Sequence, residues 1–171
     1  IHAVVYCHKG QYRQNNEDNF YLNGIWKPAD RLNRDVLETR DASQPALFAV
    51  CDGMGGEQDG EVAALLAVTW LHRAREVFLS GAELEQQGAR HISLLSHALF
   101  HACLERGKRM GSTLAAAVLR GGRLYVFGLG DSRIYLLSGR TLRRLTEDHT
   151  VAAEVEQFGV SGPGGAGGSG S

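Results

Sequence analysis

Thr113-Leu-Ala-Ala-Ala-Val-Leu119-Arg-Gly121-Gly122-Arg-Leu124-Tyr-Val-Phe-Gly-Leu129 sets two apolar runs on either side of a glycine pair. Adjacent glycines reach positive φ without steric cost, which is the backbone a two-residue turn demands, so residues 113–119 and 124–129 are expected to pair as a hairpin. Residues 133–137, closed by Ser138-Gly139, and residues 141–145 continue in the same style, and the block reads as an antiparallel meander. Upstream, residues 1–7, 19–22 and 46–51 are short runs of strand character. Residues 24–45 carry Lys27, Arg31, Arg34 and Arg40 against Asp30, Asp35, Glu38 and Asp41 with little periodicity, the mark of a surface excursion with room for a helical turn. From Gly60 the period changes. Val62, Leu65, Leu66, Thr69 and Trp70 share one helical face behind Asp59 as N-cap, which predicts a helix over residues 60–78. After a polar connection containing Gly81 and Gly88, Ile92, Leu95, Leu99, Ala102 and Cys103 predict a second helix, stopped by Gly107 and Gly111. Strands, two helices and strands again define an α+β domain whose helices cover antiparallel sheet.

The 171 residues suit one domain, and 43% hydrophobic with 22% charged residues excludes a disordered or collagen-like chain. Eighteen basic residues against nineteen acidic ones leave no positive field to gather a polyanion, so no nucleic-acid partner is expected. Cys7, Cys51 and Cys103 are odd in number and widely spaced, with no disulfide framework or CxxC pair; two lie in apolar runs and read as buried thiols. No signal peptide is recognisable and no apolar run approaches the ~20 residues of a membrane span, so a cytoplasmic location is expected. The stretch 159–171 is glycine- and serine-rich and is expected as a flexible tail or linker, which leaves residues 1–158 as the folded domain.

The chemistry-bearing residues cluster at strand ends. Arg13, Glu17 and Asp18 lead into the second strand, and Asp52-Gly53-Met54-Gly55-Gly56 closes the third and opens the first helix. Taken singly, Asp52-Gly53 is a common turn dipeptide and Glu17-Asp18 a common solvated pair. Together, carboxylates beside bare backbone at the end of an apolar strand make a hard oxygen site suited to Mg²⁺ or Mn²⁺ and hence to phosphate chemistry.

Five ordered segments carry a resemblance: Arg13-Gln-Asn-Asn-Glu17-Asp18, Phe48-Ala-Val-Cys-Asp52-Gly-Met-Gly-Gly56, Gly111-Ser-Thr113, Gly130-Asp131-Ser132-Arg133 and Leu145-Thr-Glu-Asp148-His149. They resemble the motifs of the metal-dependent protein phosphatases, the type 2C serine/threonine class, over about residues 1–158, with Met54 like the bacterial branch. The resemblance implies a four-layer α-β-β-α sandwich of two antiparallel sheets. It implies hydrolysis of phosphoserine and phosphothreonine in proteins by a metal-activated water, with two Mn²⁺ or Mg²⁺ ions and a weaker third. Asp52 matches the aspartate that bridges two metals, Gly53 the glycine that offers its carbonyl, and Glu17 and Asp18 acids acting mainly through metal-bound waters. Arg13 matches the phosphate-binding arginine and Asp131 the aspartate of the third metal. A phosphoprotein substrate, and a serine/threonine kinase or its targets, are the implied partners in bacterial signalling.

Two departures qualify these expectations. Some family members place a histidine proton donor after Asp-Gly, where this chain has Met54. The family also places further metal-binding aspartates well downstream of its Asp-His segment, where this chain has only the glycine-rich stretch. The metal centre is therefore expected to be incomplete, in a fragment or a degenerate member, and the alternative function is that of a non-catalytic phosphatase-like domain that binds a phosphoprotein or regulates a partner. Other motifs carry less. Gly130-Asp131-Ser132 lacks the later acid and histidine spacing of a serine esterase, His97 and His101 read as a solvated helix face, and no Gly-x-x-x-x-Gly-Lys loop is present.

Overall fold

The computed structural model describes residues 1–55 and 59–148, together with the backbone of residues 153–156 and 159–161. In chain order the strands and helices are β1 (His2–Cys7), β2 (Asn19–Leu22), β3 (Val36–Asp41), β4 (Ala46–Cys51), β5 (Gly53–Gly55), α1 (Asp59–Arg73), α2 (Arg75–Leu79) and α3 (Leu84–Arg106). They continue as β6 (Met110–Ser112), β7 (Leu114–Arg120), β8 (Arg123–Leu129), β9 (Tyr135–Ser138), β10 (Thr141–Arg144), β11 (Ala153–Glu156) and β12 (Gly159–Ser161). Six of them form one antiparallel sheet in the order β12-β11-β8-β7-β4-β2, and β1–β3, β9–β10 and β5–β6 form two-stranded ribbons.

Alternation along the central strands sorts the layers. Leu47, Ala49 and Cys51 of β4, Leu114, Ala116 and Val118 of β7 and Phe127 of β8 face the helices, where Ala63, Ala67, Val68 and Leu71 of α1 and Ile92, Leu95 and Leu99 of α3 meet them. Full burial of each large side chain here contributes about 1.5–3 kcal/mol. On the opposite face Phe20, Leu22 and Phe48 receive Ala3, Val5 and Cys7 of the β1–β3 ribbon. Val126 packs there with Leu136 of β9 and Leu145. The expected α+β architecture, helices over one antiparallel layer backed by a second, is therefore present, and α1 and α3 both lie on the outer face of the six-stranded sheet.

The expected hairpin forms at Gly121-Gly122, with φ of 60° and 76°. The meander does not continue past it. At Gly130, with φ of 87°, the chain leaves the sheet, so β9 pairs with β10 in a separate ribbon and β8 takes β11 as its second neighbour. The surface excursion contains the short 3₁₀ turn Ala29–Arg31 and also a strand, β3, in register with β1 from His2 opposite Asp41 to Cys7 opposite Val36. Its charges hid it: Glu38 and Asp41 point to water, and Asp41 holds His2 at 2.7 Å. The first predicted helix breaks at Ala74 into α1 and α2. The second begins eight residues before Ile92, because Leu84 and Gly88 extend its buried stripe. A Cβ on Gly88 would lie 2.5 Å from the Phe127 ring, so this glycine is a packing position and not a connection.

Candidate metal and phosphate site

Three segments converge at one end of the sheet: the loop before β2, the step from β4 to β5, and the turn after β8. The first is shaped by asparagines. Buried Asn16 accepts the Asp18 N–H at 3.1 Å, and buried Asn19 accepts the Phe20 and Lys27 N–H groups while donating to the Lys27 carbonyl. Asn16 also donates to Cys7 Sγ at 3.4 Å, so both amides are spent within the protein and the intervening Asp18 lines the cleft. In the sequence Asn16 stands only as a letter of the Arg13–Asp18 motif and Asn19 as the start of a strand; their spacing around the acids was the available signal.

The Asp18 and Asp52 carboxyls lie together at the floor of one cleft and interact electrostatically. Burial, then the neighbouring Asp52 carboxylate, push the Asp18 carboxyl above its ordinary value, against smaller opposing pulls from Lys27 and Arg13. Burial and the nearby Asp18 likewise push the Cys51 thiol up, so this cysteine is inert in the floor of the site. Glu17 accepts a hydrogen bond from Arg13 Nη1 at 3.2 Å, and it lies over the first turn of α1, where a Cβ on Gly60 would meet its carboxyl carbon at 2.9 Å. Asp59, expected as an N-cap, is the first residue of α1 and is held by Lys108 Nζ at 3.0 Å.

Gly53 sits where the chain crosses from sheet to ribbon, against α1. A Cβ there would fall 2.0 Å from the Gly60 oxygen and 2.4 Å from the Glu17 oxygen. Gly53→Ala is therefore expected to destabilise the fold by about 3 kcal/mol or more, because the obstacles are main chain, and denaturant unfolding of the variant checks it. Asp52 is anchored through its backbone: its N–H donates to Thr113 Oγ1 at 3.0 Å and its carbonyl accepts the Thr113 N–H at 2.9 Å. The same hydroxyl meets Ser132 Oγ at 2.6 Å, which ties the turn bearing Asp131 to Asp52. Asp131 itself is exposed at that turn.

A cleft of about 300 Å³ opens above the acid pair, lined by Val5, Cys7, His8, Asp18, Asp52 and Ser132 among others. His8 takes part in its wall; its Nδ1 accepts the Gly10 N–H and its Nε2 lies 3.2 Å from Asp35. A larger concavity of about 550 Å³ lies between the start of α3 and the β7–β8 turn, but the acids are not in it. Two carboxylates forced together beside bare backbone suit a hard cation, which would relieve their repulsion. Among the described residues no group of three or more His, Cys, Asp or Glu side chains is arranged to hold a metal, so the structure supplies the pair and not a complete cage.

The Asp18 carboxyl titrates above the 3.8 of an ordinary aspartate, so its contribution to stability falls as pH rises from 3.8 through the raised value. Asp18→Asn should therefore raise the melting temperature of the metal-free protein at pH 7 by a few degrees. Calorimetry in the presence of a chelator measures it; an unchanged or lower melting temperature would contradict the repulsion.

Residues 28–160 match the model described as protein phosphatase 2C, and the chain belongs to that family. It is 34% identical over 164 residues to the serine/threonine phosphatase stp of Listeria welshimeri, an alignment covering 93% of this chain and 59% of that protein. The crystal structure of the Mycobacterium tuberculosis serine/threonine phosphatase PstP/Ppp superposes with a TM-score of 0.64 at 29% identity, covering 86% of this chain and 54% of that one. The catalytic domain of the serine/threonine protein phosphatase PstP in complex with two manganese ions also aligns at 29% identity and a TM-score of 0.64, over 86% of this chain and 55% of that one. The chain thus spans a little over half the length of the proteins it matches.

Proposed function

We propose that this chain contributes the cation- and phosphate-binding part of a phosphatase that hydrolyses phosphoserine and phosphothreonine in proteins, with Mn²⁺ or Mg²⁺ as cofactor. The observation that carries the reading is the carboxyl pair Asp18–Asp52 at the floor of an open cleft, with Arg13 held beside it by Glu17. Asp18, Asp52, the Gly53 carbonyl and Glu17 would hold the principal cations, and Asp131 a more weakly bound one. When bound, such cations supply Lewis acidity and make a water nucleophilic near neutral pH. The chain's own residues do the rest. Thr113 fixes the Asp52 backbone, and Asn16 and Asn19 fix the segment that bears Asp18.

Arg13 is 62% exposed and its Glu17 partner 20%, so the guanidinium can swing from the carboxylate to an arriving phosphoryl group and bind two of its oxygens. Met54 follows Gly53 and is exposed, so no histidine acts from that position. The chemistry suits a phosphoprotein as partner, together with the kinase that makes it, and the free thiols Cys7, Cys51 and Cys103 suit a reducing cytoplasm.

The role of Arg13 tests the reading. In a polypeptide that also carries the counterpart of its relatives' remaining length, Arg13→Ala should raise KM for a phosphothreonine peptide about tenfold or more, while Mn²⁺ affinity does not fall. Loss of Mn²⁺ binding with an unchanged KM would place Arg13 among the metal-holding groups and overturn its assignment.

A further inference from the structure

The Thr113–Ser132 contact has a direction that follows from proton accounting. Thr113 is 2% exposed, and its hydroxyl oxygen receives the Asp52 N–H, a bond in which it can only accept. Its own proton needs an acceptor, and among the described residues the one within reach is Ser132 Oγ, at 2.6 Å. Thr113 therefore donates to Ser132. The Ser132 oxygen is occupied as an acceptor, and its proton is left to point elsewhere. Ser132 is half-buried and lines the cleft with Asp18 and Asp52. The backbone there is built for this approach: a Cβ on Gly130 would come 3.0 Å from Thr113 Cγ2, and the φ of 87° at Gly130 brings the turn back over Thr113.

We propose that Ser132 is a substrate-contacting residue, its hydroxyl preset by Thr113 to donate a hydrogen bond to a phosphoryl oxygen bound in the cleft. The inference rests on the phosphate-binding reading of that cleft and adds to it a neutral donor besides Arg13's charge. In a site whose other side chains at Asp18 and Asp52 repel an anion, a hydroxyl whose proton is directed away from Thr113 offers the phosphoryl group an attractive contact. Thr113 is a positioning residue in this scheme, acting through Ser132 and through the Asp52 backbone. A hydrogen bond to a charged acceptor is among the stronger kinds, and its removal is expected to weaken binding about tenfold.

The test is a titration of the ¹⁵N-labelled 171-residue chain with inorganic phosphate in excess Mg²⁺, followed by NMR. The wild type should show phosphate-dependent shifts at Arg13, Asp18 and Gly53. Ser132→Ala should weaken phosphate about tenfold and leave the Mg²⁺-induced shifts at Asp18 and Gly53 as they were, a separation that a merely structural role would not produce. Thr113→Ser, which keeps the hydroxyl, should bind phosphate as the wild type does, and Thr113→Val should not. Equal phosphate affinity in the wild type and Ser132→Ala would overturn the Ser132 contact and leave the phosphate-site reading standing. Should Ser132→Ala fail to fold, equal affinity in Thr113→Val and Thr113→Ser would overturn it instead. An absence of phosphate shifts in the wild type's cleft would overturn both.

Discussion

Asp52→Asn is expected to lower kcat/KM for a phosphothreonine peptide by about a thousandfold, ~4 kcal/mol of transition-state stabilisation, in any form of the protein that turns over. Asparagine has the shape of aspartate, and the position of residue 52 is set by backbone bonds to Thr113 that the substitution leaves untouched. What changes is charge: the pair Asp18–Asp52 becomes a carboxylate beside an amide, and the repulsion that a cation would relieve is gone. The variant should therefore lose cation binding without losing stability, and its metal-free form should melt no lower than the wild type. Turnover at the wild-type rate would sink the assignment of Asp52.

The second large effect concerns the remaining length of the relatives, of which this chain covers 59% in the Listeria protein. Between the ribbons β1–β3 and β9–β10 lies a groove of about 330 Å³, walled by Val5, Phe48, Val50, Ala115, Ala117 and Ile134. Val50, on a central strand, is 47% exposed in it. Apolar surface of this kind on the inner side of a sheet calls for a covering layer, at about 25 cal/mol for each Å² removed from water. A polypeptide that continues through the counterpart of that length, or receives it in trans, is expected to fill the groove and to bring further carboxylates to Asp18 and Asp52. Mn²⁺-dependent phosphopeptide hydrolysis should then exceed that of the 171-residue chain at least about a hundredfold, and the melting temperature should rise. Full, chelator-sensitive turnover by the 171-residue chain as a strict monomer would show that the site is complete without those groups.

Arg13, Glu17, Asp18, Asp52 and Gly53 stood in motifs legible in the sequence, and the fold brings them to one end of the sheet because the acids follow or precede strands β2 and β4, which pair in the sheet. Asp131 is less closely gathered: its turn is tied in through Ser132, and its own side chain stays exposed. Strand β3 was illegible because a surface ribbon gains from cross-strand pairs such as His2–Asp41 and Tyr6–Leu37, which no local period reveals. The departure of β9 from the meander depended on where Ile134 and Leu136 find cover, against Val126 and Leu145, a tertiary fact. The early start of α3 was masked by Gly88, a poor helix former retained because Phe127 leaves no room for a side chain. The tie from Asp52 through Thr113 to Ser132 joins residues far apart in the chain, and the motif spacing contained no hint of it.

Cation binding at the acid pair is the point on which everything else turns, and calorimetric titration of the 171-residue chain with Mn²⁺ measures it directly. The predicted result is binding that is weak in the wild type, as two carboxylates without a third imply, and that is lost in both Asp18→Asn and Asp52→Asn. Mn²⁺ bound with the same affinity and stoichiometry by all three proteins would contradict the account, because the cation would then be held somewhere other than the floor of this cleft.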